Sequence, residues 1–545
     1  MIIFFVTVAF TAWLVFACRH IELTYLRHYG YFFDPASYYQ HNIDLYRLYQ
    51  QSGLGAALSS EVQHNARFPF RTIPYLLLAP KQLVTNFGHM WSEMPFVWLF
   101  LYMYACTLYQ RTRSLCFSLA ATSLFLGVPY LYDPTLGIAG FWLDFTSACA
   151  LGCAALSLVA YHRSRHIGWM LSFGALAAVA ALSRFSSSFY VLAYASLAVP
   201  CALLCVDRFD YENPKPFKPG INWSQAAFGL VAALLTALPG LVFLLAFLQE
   251  NRSYYSTYGY AFGAPIMQSI VWTGPALVRL MGIPILATLS FFSAINLLRL
   301  LFRRASNWHV LFLSLWLPIS TFLFVCFVVK AVDGWHCLVY FIPALMISAF
   351  VPFGRLRPNH IWWRVLAPLL TVLCVATTIC SYKTFNHLAK NPPPHLALRK
   401  QADAAMARFI LQTKAQSFLQ FDTESLMPQL EVFLNNGFFT RWPSTMFSIH
   451  ESYMKNYYPG KDPATMSQAV YDQLKKEVAL VAVFDDPATA DKPGVFNNVY
   501  SSTVARRVSQ LVASDKTNWH RIGGTDSPNG KLSIYSNSAL ENHLP

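Results

Sequence analysis

Charge is scarce in this chain. Only 12% of its 545 residues are Asp, Glu, Lys or Arg, against 55% hydrophobic and 16% aromatic. So little charge excludes a soluble globular protein, and several apolar runs approach the roughly 20 residues that cross a bilayer. Cysteine patterns are missing as well. None of the 11 cysteines follows Cys380 and no two form a CxxC pair, which excludes the usual zinc and dithiol frameworks. Cys149/Cys153 and Cys201/Cys205 read as small apolar residues one helical turn apart. There is no internal repeat, phosphate-cradling glycine loop, GxSxG elbow or HExxH pair, and Gly523-Gly524 reads as a turn. The apolar run from Met1 to Cys18 lacks a basic leader and a small-residue cleavage site, so it reads as a retained first span.

What is present is a polytopic α-helical membrane protein. Eleven apolar runs, near 2–18, 94–110, 114–132, 141–161, 167–183, 187–206, 226–248, 276–298, 309–329, 337–353 and 365–382, are expected to be helices. The formal charge of +14 is dispersed between these runs, which argues for topology and against a nucleic-acid partner. Alternate connections carry thirteen basic residues, among them Arg111 and Arg113, Arg163 and Arg165, Arg303 and Arg304, while the short connections of the other parity carry Arg184, Arg252 and Lys330. The positive-inside rule assigns the richer set to the cytoplasm. Arg19, His20 and Arg27 just after the first span argue the other way and are outvoted. An odd number of spans with the amino terminus inside then leaves two large segments outside, the loop 19–93 and the carboxyl-terminal part. The expected division is a membrane module over 1–383 and an extracytoplasmic α/β domain over 384–545.

The outer loop reads as structured. Asp34-Pro35 is a helix start, with Asp as N-cap and Pro at the first helical position, followed by Ala36 to Gln51 and a stop at Gly53 and Gly55. Tyr38, Tyr39, Tyr46 and Tyr49 should place this helix at the membrane interface, rings in lipid and hydroxyls in water. Ile73 to Pro80 is too short to span and is broken by prolines, so it reads as a second juxtamembrane or re-entrant element. Beyond the Asn391 to Pro394 linker, helices are expected at 398–412, 466–477 and 502–514, and strands at 417–421, 478–484 and 531–535.

A first span, then an Asp followed by paired aromatics on a juxtamembrane helix (Tyr31 to Tyr39), then a basic-x-Pro pattern (Arg67 to Pro69) leading into Pro74-Tyr-Leu-Leu-Leu78, resembles the GT-C superfamily of membrane glycosyltransferases. The likeness is greatest to its protein O-mannosyltransferase and aminoarabinose transferase branch. The plan is shared along the whole chain. Residue-level motifs are confined to Tyr31–Pro80, with fragments at Asp133–Asp144 and Lys330–Pro343. The resemblance implies transfer of a hexose or pentose from a polyprenyl-phosphate donor to a lipid, glycan or protein acceptor at the outer face. It implies Asp34 as the base and Arg67 as a contact to the lipid phosphate. The family often shows Asp-Glu where this chain has Asp34-Pro35.

The chemistry asks for the same groups independently. Inverting transfer needs one carboxylate to take the acceptor proton and cations to stabilise the departing phosphate. The cationic candidates are Arg67, Arg71, Lys81, Arg184, Lys330 and His336, all expected at the outer mouth. Asp133 and Asp144 are further acidic candidates, Asp144 because an acid in an apolar zone is costly unless it faces a polar cavity. Each has a plainer reading: Asp34 and Asp133 as helix caps, Arg184 as a snorkelling anchor, and Tyr254, Tyr255, Tyr258 and Tyr260 as an interfacial belt. No cofactor is required. Glu61, Asp34, Asp133, Asp144 and Asp333 could converge on a divalent ion, but a monophosphate carrier leaves without one, so a metal-independent site is expected. Two other classes stay open, a transporter or lipid flippase and an O-antigen ligase-like transferase. The absence of cysteine from the carboxyl-terminal domain favours a bacterial inner membrane over the endoplasmic reticulum, where outer domains more often use disulfides.

Overall fold

In a computed structural model of the chain, residues 1–26, 34–64, 69–85, 88, 91–134, 137–140, 143–184, 187–204, 223–250, 265–302, 308–329, 335–354, 361–391, 417–422, 445–446, 462–485, 499–527 and 530–541 are described. The protein is a helical membrane protein with one small sheet. Five helical stretches, Ile2–Tyr25, Asp144–Ser164, Ile283–Leu301, Trp308–Val328 and Arg364–Lys390, are long and apolar enough to cross a bilayer, and shorter apolar helices accompany them.

The helices that build the bundle are α1 (Ile2–Ile21), α4 (Met94–Thr112), α5 (Leu115–Ser123), α6 (Asp144–Ser164), α7 (Ile167–Ser183), α8 (Ser187–Leu204) and α9 (Trp223–Glu250). They are followed by α10 (Ile266–Met281), α11 (Ile283–Leu301), α12 (Trp308–Leu323), α13 (Trp335–Leu338), α14 (Phe341–Phe350) and α15 (Ile361–Lys390). Burial ranks them. Within the apolar window of α6, 94% of residues are buried by protein, against 22% for α15. α6 is therefore the central helix, whereas α1 and α15 keep Phe5, Phe16, Leu369 and Val372 exposed, as lipid-facing surfaces do. Close approach depends on small residues. A Cβ on Gly174 of α7 would meet the Gly229 carbonyl of α9 at 1.9 Å, and one on Gly152 of α6 would meet Phe100 and Pro343.

Three expected spans are interrupted. The run 337–353 is divided by a turn between α13, ending at Leu338, and α14, starting at Phe341, and the other two are interrupted for reasons local to the chain. The run 276–298 is divided between α10 and α11 at Gly282, which sits at φ 74° with Pro284 opening the next helix. A left-handed glycine ends one helix and a proline starts another. In the run 114–132, α5 stops at Ser123 and the chain continues as 3-10 turns over Leu124–Gly127 and Pro129–Tyr132, with Val128 extended before Pro129.

The first loop holds α2 (Asp34–His64) and α3 (Pro69–Leu78), then a 3-10 turn over Pro80–Val84. α2 starts at Asp34 as expected and breaks at Gly53 (φ 81°), but helix resumes beyond the break and carries Gly55 within it. The tyrosines do not all lie at an interface with water. Tyr38 and Tyr39 are buried, and the Tyr39 hydroxyl donates to the Val84 carbonyl at 2.8 Å, because the loop folds back on itself and offers that acceptor.

The carboxyl-terminal part contains a five-stranded sheet in the order β2 (Thr445–Met446), β1 (Ser417–Asp422), β3 (Leu480–Asp485), β5 (Gly530–Asn537), β4 (Trp519–Ser527). β1 pairs in parallel with β2 and β3, while β5 runs antiparallel to β3 and β4. Two helices, α16 (Pro463–Glu477) and α17 (Val499–Ser514), pack together, and α16 is capped by Asp462. The expected 398–412 helix lies outside the described residues. Gly523-Gly524 is not a turn: it lies inside β4 at a bulge between Arg521 and Gly523. Gly524 has φ 150° and passes so near Leu532 that a Cβ would meet its carbonyl at 2.1 Å.

Candidate functional site

The bundle has two chemically different ends. At one, α4 and α6 terminate on Arg113 and Arg165, both left-handed (φ 58° and 54°). There Arg165 donates to the Ala202 carbonyl of α8, and Arg111 to the Phe353 carbonyl after α14. The opposite ends of the same helices begin with Glu93, Asp144, Ser187 and Tyr340. Basic residues thus collect at one end of the bundle, and buried acids and hydroxyls at the other.

At the acidic end, Asp144 opens α6 and Arg184 follows α7. Arg184 Nη1 lies 2.5 Å from Asp144 Oδ2, with side chains only 14% and 1% exposed. Helix geometry explains the pairing. A carboxylate in the first turn of a helix is favoured by the helix dipole, and the tight α6–α7 connection brings the end of α7 back beside it. Tyr340 lies within the field of both charges. It stacks on Tyr190 with ring centroids 4.0 Å apart, is hydrogen-bonded to Ser187, and Tyr190 donates to the Cys337 carbonyl at 3.0 Å.

The first loop brings a second set of charges to this end. Arg71 on α3 is buried and donates to Asn42 Oδ1 of α2 at 2.6 Å. Burial pulls its guanidinium down to about 10, opposed by Glu61 and Glu93, so it remains a cation at neutral pH. Glu61 of α2 accepts from the Thr72 hydroxyl and lies 2.8 Å from His41 Nε2. Glu93, immediately before α4, is fully buried, and neither of its oxygens meets a hydrogen-bond partner among the described residues. Burial drives its carboxyl well above the ordinary value, Arg71 opposes this, and Asp144 adds to it. Arg71, Glu93, Asp144 and Arg184 form a chain of interacting charges from the loop into the bundle.

Of the residues expected from the sequence, the fold gathers Arg71, Asp144 and Arg184. Asp133 is half-buried and extended after the 3-10 turn. Its carbonyl accepts from Gly137 N at 2.9 Å, and no helix starts at it among the described residues. Lys81 is exposed on its turn and is not buried with the others. Arg67 and Lys330 lie outside the described residues, as do the side chains of Asp34 and His336; so do Asp333 and the tyrosines at 254–260. Residues the sequence reading passed over are Glu93, taken only as a loop boundary, and Arg279 and Tyr130, which share an electrostatic neighbourhood with Asp133 and Asp144. Arg279 had a legible signal, a cation inside a run read as a span. Among the described residues, no three His, Cys, Asp or Glu side chains converge as a metal site.

No protein-family model matches the chain, and no curated protein matches its sequence. Among solved structures, the chain is similar to the archaeal oligosaccharyltransferase AglB from Archaeoglobus fulgidus in complex with an inhibitory peptide and a dolichol-phosphate. The TM-score is 0.45 at 12% identity, over 98% of this chain and 74% of that chain.

Proposed function

We propose that this protein is a membrane glycosyltransferase that moves a sugar from a polyprenyl-phosphate donor to a lipid, glycan or protein acceptor at the extracytoplasmic face. In this reading the chain crosses the membrane eleven times with its amino terminus inside, in a bacterial inner membrane. The GT-C resemblance of the first loop supports it. The observation that carries it is the buried Asp144–Arg184 pair, joined to Arg71 and Glu93 at the end of the bundle remote from the basic caps. Charges so deep in an apolar protein are costly unless a polar substrate shares the site.

The chemistry follows in one displacement. The acceptor hydroxyl oxygen attacks the anomeric carbon, the bond from that carbon to the phosphate oxygen breaks, and the acceptor proton passes to Asp34. The electron pair leaves with the polyprenyl phosphate, whose charge Arg184 and Arg71 stabilise, with Arg67, Lys81, Lys330 and His336 as further donors from the loops. Asp144 holds Arg184 in place. The reaction inverts the anomeric centre and uses no metal.

The test is transfer of radiolabelled sugar from a panel of polyprenyl-phosphate sugars, in membranes carrying the wild-type chain or Asp34→Asn. Transfer by the wild type that is lost in a correctly inserted Asp34→Asn is the expected result. Transfer indifferent to Asp34, or none from any donor, rejects the reading.

A further inference from the structure

α1 and α15 touch at one end and part towards the other. At the acidic end of the bundle His20 Nε2 lies 3.3 Å from Asn386 Oδ1, and Tyr382 packs against Trp13 and His20. Towards the basic end the two helices leave a groove of about 550 Å³ floored by α5, with Phe10, Trp13, Cys116, Leu119, Thr371 and Ile379 in its wall. Its acidic end is shut. Trp13 Nε1 donates to the Tyr132 hydroxyl at 3.1 Å, and α15 packs so closely on the 3-10 turn that a Cβ on Gly127 would meet Thr377 Oγ1 at 2.2 Å. The hydroxyls in the wall are spent within the protein, since Ser123, Thr371 and Thr378 donate to the carbonyls of Ala120, Ala367 and Leu126. The groove therefore suits a hydrocarbon and offers little to a sugar.

The open end carries charge. Thr378 donates to the Leu126 carbonyl at 3.1 Å and Cys374 to the Ser123 carbonyl at 2.9 Å, so α15 runs parallel to α5 with a nearly constant offset. That register carries Arg364 to the level of Arg113, just ahead of Cys116. Both arginines are exposed, and neither pairs with a carboxylate among the described residues. From Thr371 to Ile379 the wall is about 12 Å long by helix rise, close to the roughly 15 Å of one leaflet's hydrocarbon. We propose that this groove binds one acyl chain of an anionic phospholipid from the leaflet at the basic end of the bundle, with Arg113 and Arg364 holding its phosphate. The chain fills a groove closed at its far end, and the headgroup stays at the membrane surface. In the transferase reading the donor phosphate sits at the opposite end, so this lipid is a separate ligand.

The native cysteines report on the groove. Cys116 is exposed and lines it, whereas Cys380 is exposed on α15 outside its wall. The full chain in detergent micelles is alkylated with N-ethylmaleimide while phosphatidylglycerol, or phosphatidylcholine with the same acyl chains, is titrated in. Both thiols are followed by peptide mass spectrometry. Phosphatidylglycerol is expected to protect Cys116 at about tenfold lower mole fraction than phosphatidylcholine, as two cations at the headgroup level predict, with Cys380 unchanged. The double variant Arg113→Gln, Arg364→Gln, at exposed positions, should lose that preference and keep the wild-type thermal midpoint in lipid-free micelles. Equal protection by the two phospholipids, a preference that survives in the double variant, or protection of Cys380 alongside Cys116 overturns the proposal. Protection by undecaprenyl phosphate and not by phosphatidylglycerol overturns it too, and gives the groove to the donor chain. No protection by any lipid overturns it while leaving the transferase reading standing.

Discussion

Glu93 at the mouth of the bundle and Asp515 beside the carboxyl-terminal sheet are both carboxylic acids, and their surroundings push them in opposite directions. Asp515 gathers donors: the Tyr471 hydroxyl, the Asn518 amide side chain at 2.7 Å, and the backbone N–H groups of Thr517 and Asn518 at 3.1 Å. These hold its carboxyl at about 2. Glu93 is buried with no such donors among the described residues and is pushed the other way. An acid whose every lone pair is met by its own fold is structural, holding the end of α17 to α16 and β4. An acid kept in a dry place without donors is tolerated for another reason, and active sites are where such acids collect.

The largest expected effect strikes the mouth of the bundle. Arg184→Ala leaves Asp144 buried without its cation and should cost about 3–5 kcal/mol, read as a lowered thermal midpoint, and about a hundredfold or more of sugar transfer. The double variant Asp144→Asn, Arg184→Gln should recover much of the stability and none of the transfer if, as proposed, the charge serves the substrate. In the sheet the corresponding break is steric. Gly524→Ala drives a methyl group into the Leu532 carbonyl and should cost about 2 kcal/mol, visible as faster hydrogen exchange in β4 and β5. Gly55→Ala, in an open position on α2, should instead be neutral or stabilising by about 0.5 kcal/mol.

The two acids sharpen the comparison through pH. Glu93 binds its proton more tightly folded than unfolded. Above the ordinary carboxylate range the folded state therefore holds a proton that the unfolded state has lost, and stability falls as pH rises until Glu93 itself ionises. Glu93→Gln should remove that slope in thermal midpoints measured above the ordinary carboxylate range. Asp515 has the opposite sign. Its stabilisation is complete above the unfolded value of 3.8 and is lost as pH falls through about 2. Asp515→Asn should flatten the acid limb of hydrogen exchange in β4, the smallest effect of the set because Asp515 lies near water.

Much of this architecture was legible in the sequence because long apolar runs leave few alternatives. Helix boundaries at Asp34 and Gly53 followed from proline, cap and glycine chemistry, and strands such as β3 from their apolar content. The interruptions at Gly282 and Val128 were hidden inside runs whose hydropathy is unbroken, where only a glycine or a proline marks the change. Strand β4 was missed because Gly523-Gly524 has turn composition and a bulge uses the same residues. At the candidate site, Asp144 and Arg184 were legible as charges in apolar surroundings, but their mutual contact is a property of how α6 and α7 pack. Glu93 could not be weighed, since a glutamate beside a span reads as surface until burial is seen.

The central claim is that the donor phosphate sits among Arg71, Arg184 and their acids. A polyprenyl phosphate carrying a diazirine on its first isoprene unit would be photo-crosslinked to the full chain in nanodiscs, and the labelled peptides mapped. The account predicts labelling near Arg71 and Arg184, suppressed by excess unlabelled lipid phosphate and reduced in Arg184→Ala. Labelling confined to the exposed faces of α1 and α15, or unaffected by competitor, would contradict it.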